Sequence, residues 1–141
     1  MKNKISLRAG AILLLALLAF GSCAKHTTSK KVNKKLTEGT WKISQATVSG
    51  NNITSTYNGM KFTFSGSGVI SVSGTENTSG SWLLGDEENP VLMVLSFPQT
   101  ATTLYQFSDD WLVMEMSKND CSLKRNDSAT QDDKLVFRRI D

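Results

Sequence analysis

The sequence predicts an all-β protein: one small domain of eight antiparallel strands closing in up-and-down order into a barrel, behind a leader and a flexible tether. Three observations point there. Large apolar residues after position 35 alternate with polar ones at period two, the pattern of strands with one face in a core. Turn-forming runs such as Asn58-Gly59, Gly66-Ser67-Gly68 and Lys118-Asn119-Asp120 punctuate that alternation at short spacing. Ser and Thr make up 26 of residues 36–141 and Pro only two, a composition of many short strands. A chain of 141 residues has room for one domain with a modest core.

Residues 1–22 read as an address. Lys2, Lys4 and Arg8 precede twelve uncharged, mostly apolar residues from Ala9 to Phe20, a run too short to span a bilayer comfortably. Gly21-Ser22 directly before Cys23 resembles the lipobox of bacterial lipoproteins, with Phe20 where Leu is commonest. That resemblance implies cleavage before Cys23, diacylglycerol on its sulfur and a fatty acyl chain such as palmitate on its new amino group. Residues 23–35 follow as a basic tether with five lysines, no acid and a single large aliphatic residue, Val32, too little apolar surface to order itself. Ala24 after the cysteine is similar to the outer-membrane sorting pattern, and the basic rather than acidic run that follows implies the periplasmic face.

The domain is expected over residues 36–141, with strands at 39–48, 60–65, 69–73, 79–84, 91–97, 111–117, 121–126 and 133–140. Met60, Phe62 and Phe64 alternate with Lys61, Thr63 and Ser65, and Leu135 and Phe137 with Lys134, Val136 and Arg138. Strand-like pieces at 53–57 and 103–107 extend neighbours or cross loops. Leu104, Phe107, Trp111 and Met114 also fit helical spacing with Ser108 as a cap. The alternation of Leu112, Met114 and Met116 with Val113 and Glu115 favours a strand from Trp111. The inward set is expected to be Trp41, Ile43, Phe62, Phe64, Ile70, Val72, Trp82, Leu84, Met114 and Phe137.

Several short motifs run through this domain in order: Gly39-Thr40-Trp41, the pair Phe62 and Phe64, Gly80-Ser81-Trp82, Leu123-Lys124, and Leu135, Phe137 and Arg139. Together they resemble the small lipocalin-like domains of Gram-negative lipoproteins, which implies an eight-stranded barrel with room for one ligand at most. The fatty-acid carriers share the Gly-Thr-Trp-Lys start but add a helical lid and an Arg-x-Tyr clamp. Here residues 49–59 carry no helix pair and Arg138-Arg139-Ile140 no Tyr, so their ligand site does not carry over. In a closed up-and-down barrel the first and last strands pair, which brings Arg139 beside Trp41. A guanidinium over the indole, as the resemblance implies, would close that end.

The chemistry that is missing narrows the function. The one histidine, His26, lies in the tether, so the domain has none for a nucleophilic triad or a histidine zinc site. Cys121 has no second thiol to pair with once Cys23 is acylated, and it reads as a small buried apolar residue. The carboxylates at Asp86-Glu87-Glu88, Asp109-Asp110 and Asp132-Asp133 read as solvated turns rather than an acid–base pair. Asp127-Ser128-Ala129 matches a three-residue O-glycosylation pattern. Residues 36–141 carry 8 basic and 13 acidic groups, a balance of about −5 that does not suit nucleic acid. No metal or cofactor is expected. The expected function is a non-catalytic envelope lipoprotein acting as an interaction module for an envelope protein or glycan. The alternative is a carrier or sensor of one small apolar ligand inside the barrel. Longer connections gather at the end away from the tether, and there Tyr57, Tyr105, Phe107 and Trp111 are the expected binding residues.

Overall fold

The computed structural model of the chain describes residues 27–86, 89–127 and 132–141. The leader expected over residues 1–22, the acylation expected at Cys23 and the glycosylation pattern at Ser128 lie outside the described residues. The strands are β1 (Thr40–Val48), β2 (Asn51–Asn52), β3 (Met60–Phe64), β4 (Val69–Gly74), β5 (Thr78–Leu84), β6 (Val91–Ser96), β7 (Asp109–Met116), β8 (Asp120–Arg125) and β9 (Lys134–Arg139). They form one antiparallel sheet in which sequence neighbours pair, and β1 pairs with β9 to close it. The two-residue β2 is a flap on β1, which leaves the expected eight-stranded up-and-down barrel. Its eight strands start and stop within two residues of the predicted positions.

Period-two patterning holds in most strands. Met60, Phe62 and Phe64 are buried while Lys61 and Thr63 are exposed. Inside the barrel, Phe64 meets Phe137 and Trp82 edge-on, with ring centroids 5.3 and 5.4 Å apart, and Phe62 meets Phe137 at 5.4 Å. Such edge-to-face contacts fill the interior and add to the energy of burial itself. Met114 departs from the expected inward set. A register shift between Val113 and Glu115 inserts a bulge, so Trp111, Val113 and Met116 point inward and Met114 is 54% exposed. Leu84 points inward but is only partly buried at the barrel rim.

Residues 29–35, expected to belong to the tether, are helical. Residues Ser29–Thr37 form a helix, α1, because Thr28 caps its first turn by accepting from the Lys31 amide at 3.2 Å and because Val32 and Leu36 share one face. Both side chains are fully buried, and α1 lies against β3 and β7 across the end of the barrel where β1 begins. Two apolar residues at helical spacing suffice because the barrel end supplies the surface they bury. The pieces at 53–57 and 103–107 are likewise not strands but 3-10 turns, Thr54–Tyr57 and Tyr105–Phe107.

Both barrel ends are closed by side chains. At the α1 end the Trp41 indole N–H donates to the Leu36 carbonyl at 3.0 Å. Arg139 pairs across the ladder with Trp41 as expected but is not stacked on it. Its guanidinium instead serves the Glu38 and Asp141 carbonyls, and it lies so close to Gly39 that a Cβ there would sit 2.8 Å from Nε. The helix, rather than an arginine, plugs this end.

Candidate functional site

At the far end the longer connections carry the predicted aromatics, and the structure turns most of them inward. Tyr57, Phe107 and Trp111 are each at most 1% exposed and form a chain, with Tyr57 and Phe107 ring centroids 5.0 Å apart and Phe107 and Trp111 6.1 Å apart. Tyr57 Oη donates to the Thr103 carbonyl at 2.8 Å and accepts from Gln106 Nε2 at 2.7 Å. Burial is the main cause that pushes this hydroxyl up to about 12; Gln106 works against it and the Glu76 charge adds to it. The Trp111 indole N–H donates to the Phe107 carbonyl at 2.9 Å. Tyr105 alone of the four remains well exposed. These aromatics cover the barrel mouth and are fixed there by their own hydrogen bonds.

An arginine that sequence reasoning passed over ties this end together. Arg125 is 8% exposed and stands 4.5 Å over the Trp111 ring. Its Nε donates to Asp133 and one terminal nitrogen to Asp109, both at 2.8 Å, and the other to the Gln106 carbonyl at 3.1 Å. Asp133, only 2% exposed, also accepts from the Ser49 amide at 2.7 Å. Asp133 is therefore a buried member of an ionic junction rather than the solvated turn residue expected, while Asp109, 47% exposed, joins the junction from the solvent side. The signal was present: alternation along β8 puts Arg125 on the inward face with Cys121 and Leu123. The Arg–indole stack expected at Trp41 occurs at this opposite end instead.

Cys121 is fully buried, and burial pushes its thiol up to about 12, which leaves almost no thiolate at neutral pH. It packs as a small apolar side chain in the core.

A cleft of about 560 Å³ lies on the outside of the barrel along a seam between β1 and β3. These strands pair only at Thr40↔Thr63 and Trp41↔Phe62. Beyond that, β1 bulges between Ile43 and Gln45 and follows β9 as far as Thr47↔Lys134. Its free edge is taken by β2 and the Thr54–Tyr57 turn, with the Ile53 amide donating to the Ala46 carbonyl at 2.8 Å and the Ala46 amide to Thr54 Oγ1 at 2.9 Å. A tight reversal at Ser49-Gly50, both at positive φ, allows this flap to form. Its exposed lining carries Lys42, Lys61 and Arg138; Ile43, Met60 and Tyr57 border it as well but are each at most 5% exposed. Tyr57 is thus the one predicted binding residue that borders this cleft. The cationic rim was not anticipated; its signal is Lys42, Lys61 and Arg138 on the outward phase of three strands that closure makes neighbours.

No protein-family model and no curated protein matches the chain. Among solved structures it is similar to a DUF4909 family protein from Staphylococcus aureus subsp. aureus Mu50. The TM-score is 0.48 at 9% sequence identity, covering 74% of this chain and 97% of that one.

Proposed function

We propose that this chain is a non-catalytic interaction module of the cell envelope, held to the outer membrane through acylated Cys23 and facing the periplasm. The observation that carries the reading is the filled barrel. Val32, Leu36 and Trp41 close one end, Tyr57, Phe107 and Trp111 the other, and aromatic side chains pack the space between. An eight-stranded barrel either fills with side chains or leaves room for one small ligand, and this interior is packed, so recognition is assigned to the outer surface. The absence of catalysis rests on the composition of the domain: it has no histidine, and its one thiol is buried and protonated. The anchor rests on the charged start, the apolar run and Gly21-Ser22-Cys23.

Two measurements test this. Mass spectrometry of the purified chain should find a mature N-terminus at acylated Cys23, and Cys23→Ser should move the protein from the membrane to the soluble fraction. Titration with an apolar fluorophore should give no saturable one-to-one binding. An unmodified, soluble wild-type chain overturns the anchor. Saturable uptake of the fluorophore that Trp111→Ala alters overturns the filled barrel in favour of a carrier.

A further inference from the structure

We propose that the seam cleft between β1 and β3 binds an anionic group carried on a hydroxylated scaffold, the chemistry shared by sugar acids and sugar phosphates. This deepens the reading of the protein as an interaction module and rests on it. Strand register builds the cationic part. Lys42 lies directly across from Arg138 in the β1–β9 ladder, and Lys61 lies one residue beyond the last β1–β3 pair, Trp41↔Phe62, where the two strands part. All three point outward and line one cleft.

Like charges placed directly opposite one another on a sheet are destabilising. Of the three, Arg138 has a partner, Asp120, at 2.9 Å, whereas neither lysine forms an ion pair with a described residue. Among the described residues no carboxylate lines the cleft, and Asp120 reaches it only through Arg138. Residues 36–141 hold only eight basic groups against thirteen acidic ones, so three cations on one cleft run against the charge of the domain. A bound anion would relieve this arrangement, since charge-assisted hydrogen bonds are the strong ones and a lysine supplies three donors.

The remaining lining fits the scaffold. The exposed Asn58 side chain borders the opening beside Ser44, which supplies polar contacts for hydroxyl groups. The cleft remains open because the β1–β3 ladder stops after Trp41↔Phe62.

The test follows backbone amide NMR shifts of the acylated chain in a non-ionic detergent, titrated with galacturonate, glucose 6-phosphate and glucose. Saturable shifts confined to residues 42–44, 58–61 and 138 are expected with one or both anions and not with glucose, and the stronger anion identifies carboxylate or phosphate as the preferred group. Lys42→Gln and Lys61→Gln, both at exposed positions, should each weaken binding about tenfold, the size of one lost charge-assisted hydrogen bond. Raising the salt should weaken it further. Equal shifts with glucose, no saturable shift at the cleft, or unchanged affinity in both variants overturns the proposal. Self-association of the Lys42→Gln, Lys61→Gln double variant without any anion binding by wild type also overturns it, and makes the lysines guards of an open strand edge. Because acylation and membrane fractionation are measured separately, a failed cleft is distinguishable from a failed anchor.

Discussion

At the far end one guanidinium satisfies two carboxylates, a carbonyl and an indole face, and Asp133 is so enclosed that it cannot turn to water. Removing one member of a buried ion pair leaves the other charge stranded, at a cost of about 3–5 kcal/mol. Arg125→Met is therefore expected to lower stability by that amount in urea unfolding, and adding Asp133→Asn should restore part of it. A loss below about 1 kcal/mol would show that the junction does not hold the far end. Two further side chains set the alkaline limit. Tyr57 and Cys121 both have pKa values raised to about 12 in the folded chain, from 10.0 and 9.0. Their neutral forms are the ones the fold accommodates, so their contribution is complete below pH 9 and is lost as the unfolded chain ionises first. The urea midpoint should decline between about pH 9 and 12, and Tyr57→Phe or Cys121→Ala should flatten its own part of that decline. Alternation along β8 carried the information that Arg125 points inward. Nothing local revealed that Asp109, at the start of β7, and Asp133, just before β9, converge on it.

Among the elements, strands were legible because each records its buried face in its own residues, as Met60, Phe62 and Phe64 do in β3. Helix α1 was not, because its composition is that of a solvated segment and only Val32 and Leu36 betray a buried stripe. Their burial depends on a barrel mouth that local sequence does not display. The assignment of α1 to the core has a direct consequence. Leu36→Ala should cost about 2–5 kcal/mol, as core truncations do, while Lys34→Ala on the exposed face should stay within about 0.5 kcal/mol. If the two substitutions have equal small effects in thermal unfolding, α1 is dispensable to the barrel. The β3–β4 pairing depends on Gly74, where φ is 108° and an added Cβ would stand 1.9 Å from the Gly59 carbonyl oxygen. Gly74→Ala must shift the backbone of Gly59 and Met60, and a cost of at least about 2 kcal/mol is expected from the strained conformation and the clash together. The bulge that turns Met114 outward is a further limit of local reading: alternation is counted within a strand, whereas a bulge answers to the partner strand.

Closure of the barrel was legible at the scale of the whole molecule, since eight antiparallel strands in up-and-down order bring the first beside the last. What the order of strands could not show is that closure is uneven. On one side β1 follows β9 from Trp41↔Arg139 to Thr47↔Lys134; on the other it meets β3 at two positions and then parts from it. Regions of a fold with few cross-strand bonds open at lower free energy than the core ladders. The seam should therefore open without global unfolding, and this is measurable by native-state hydrogen exchange. Amides of Ile43 and Met60 are expected to exchange through local fluctuations that change little with low denaturant. Those of Val113 and Leu123, in the β7–β8 ladder, should exchange only as the whole barrel unfolds, with a free energy that falls steeply as denaturant is added. An anion in the seam cleft should slow the first group without moving the second, because it binds across the seam and leaves the opposite ladder untouched. If Ile43 and Met60 exchange at the same free energy as Leu123, the seam is as firmly closed as the rest of the barrel, and the cleft is a rigid surface feature rather than its weakest line.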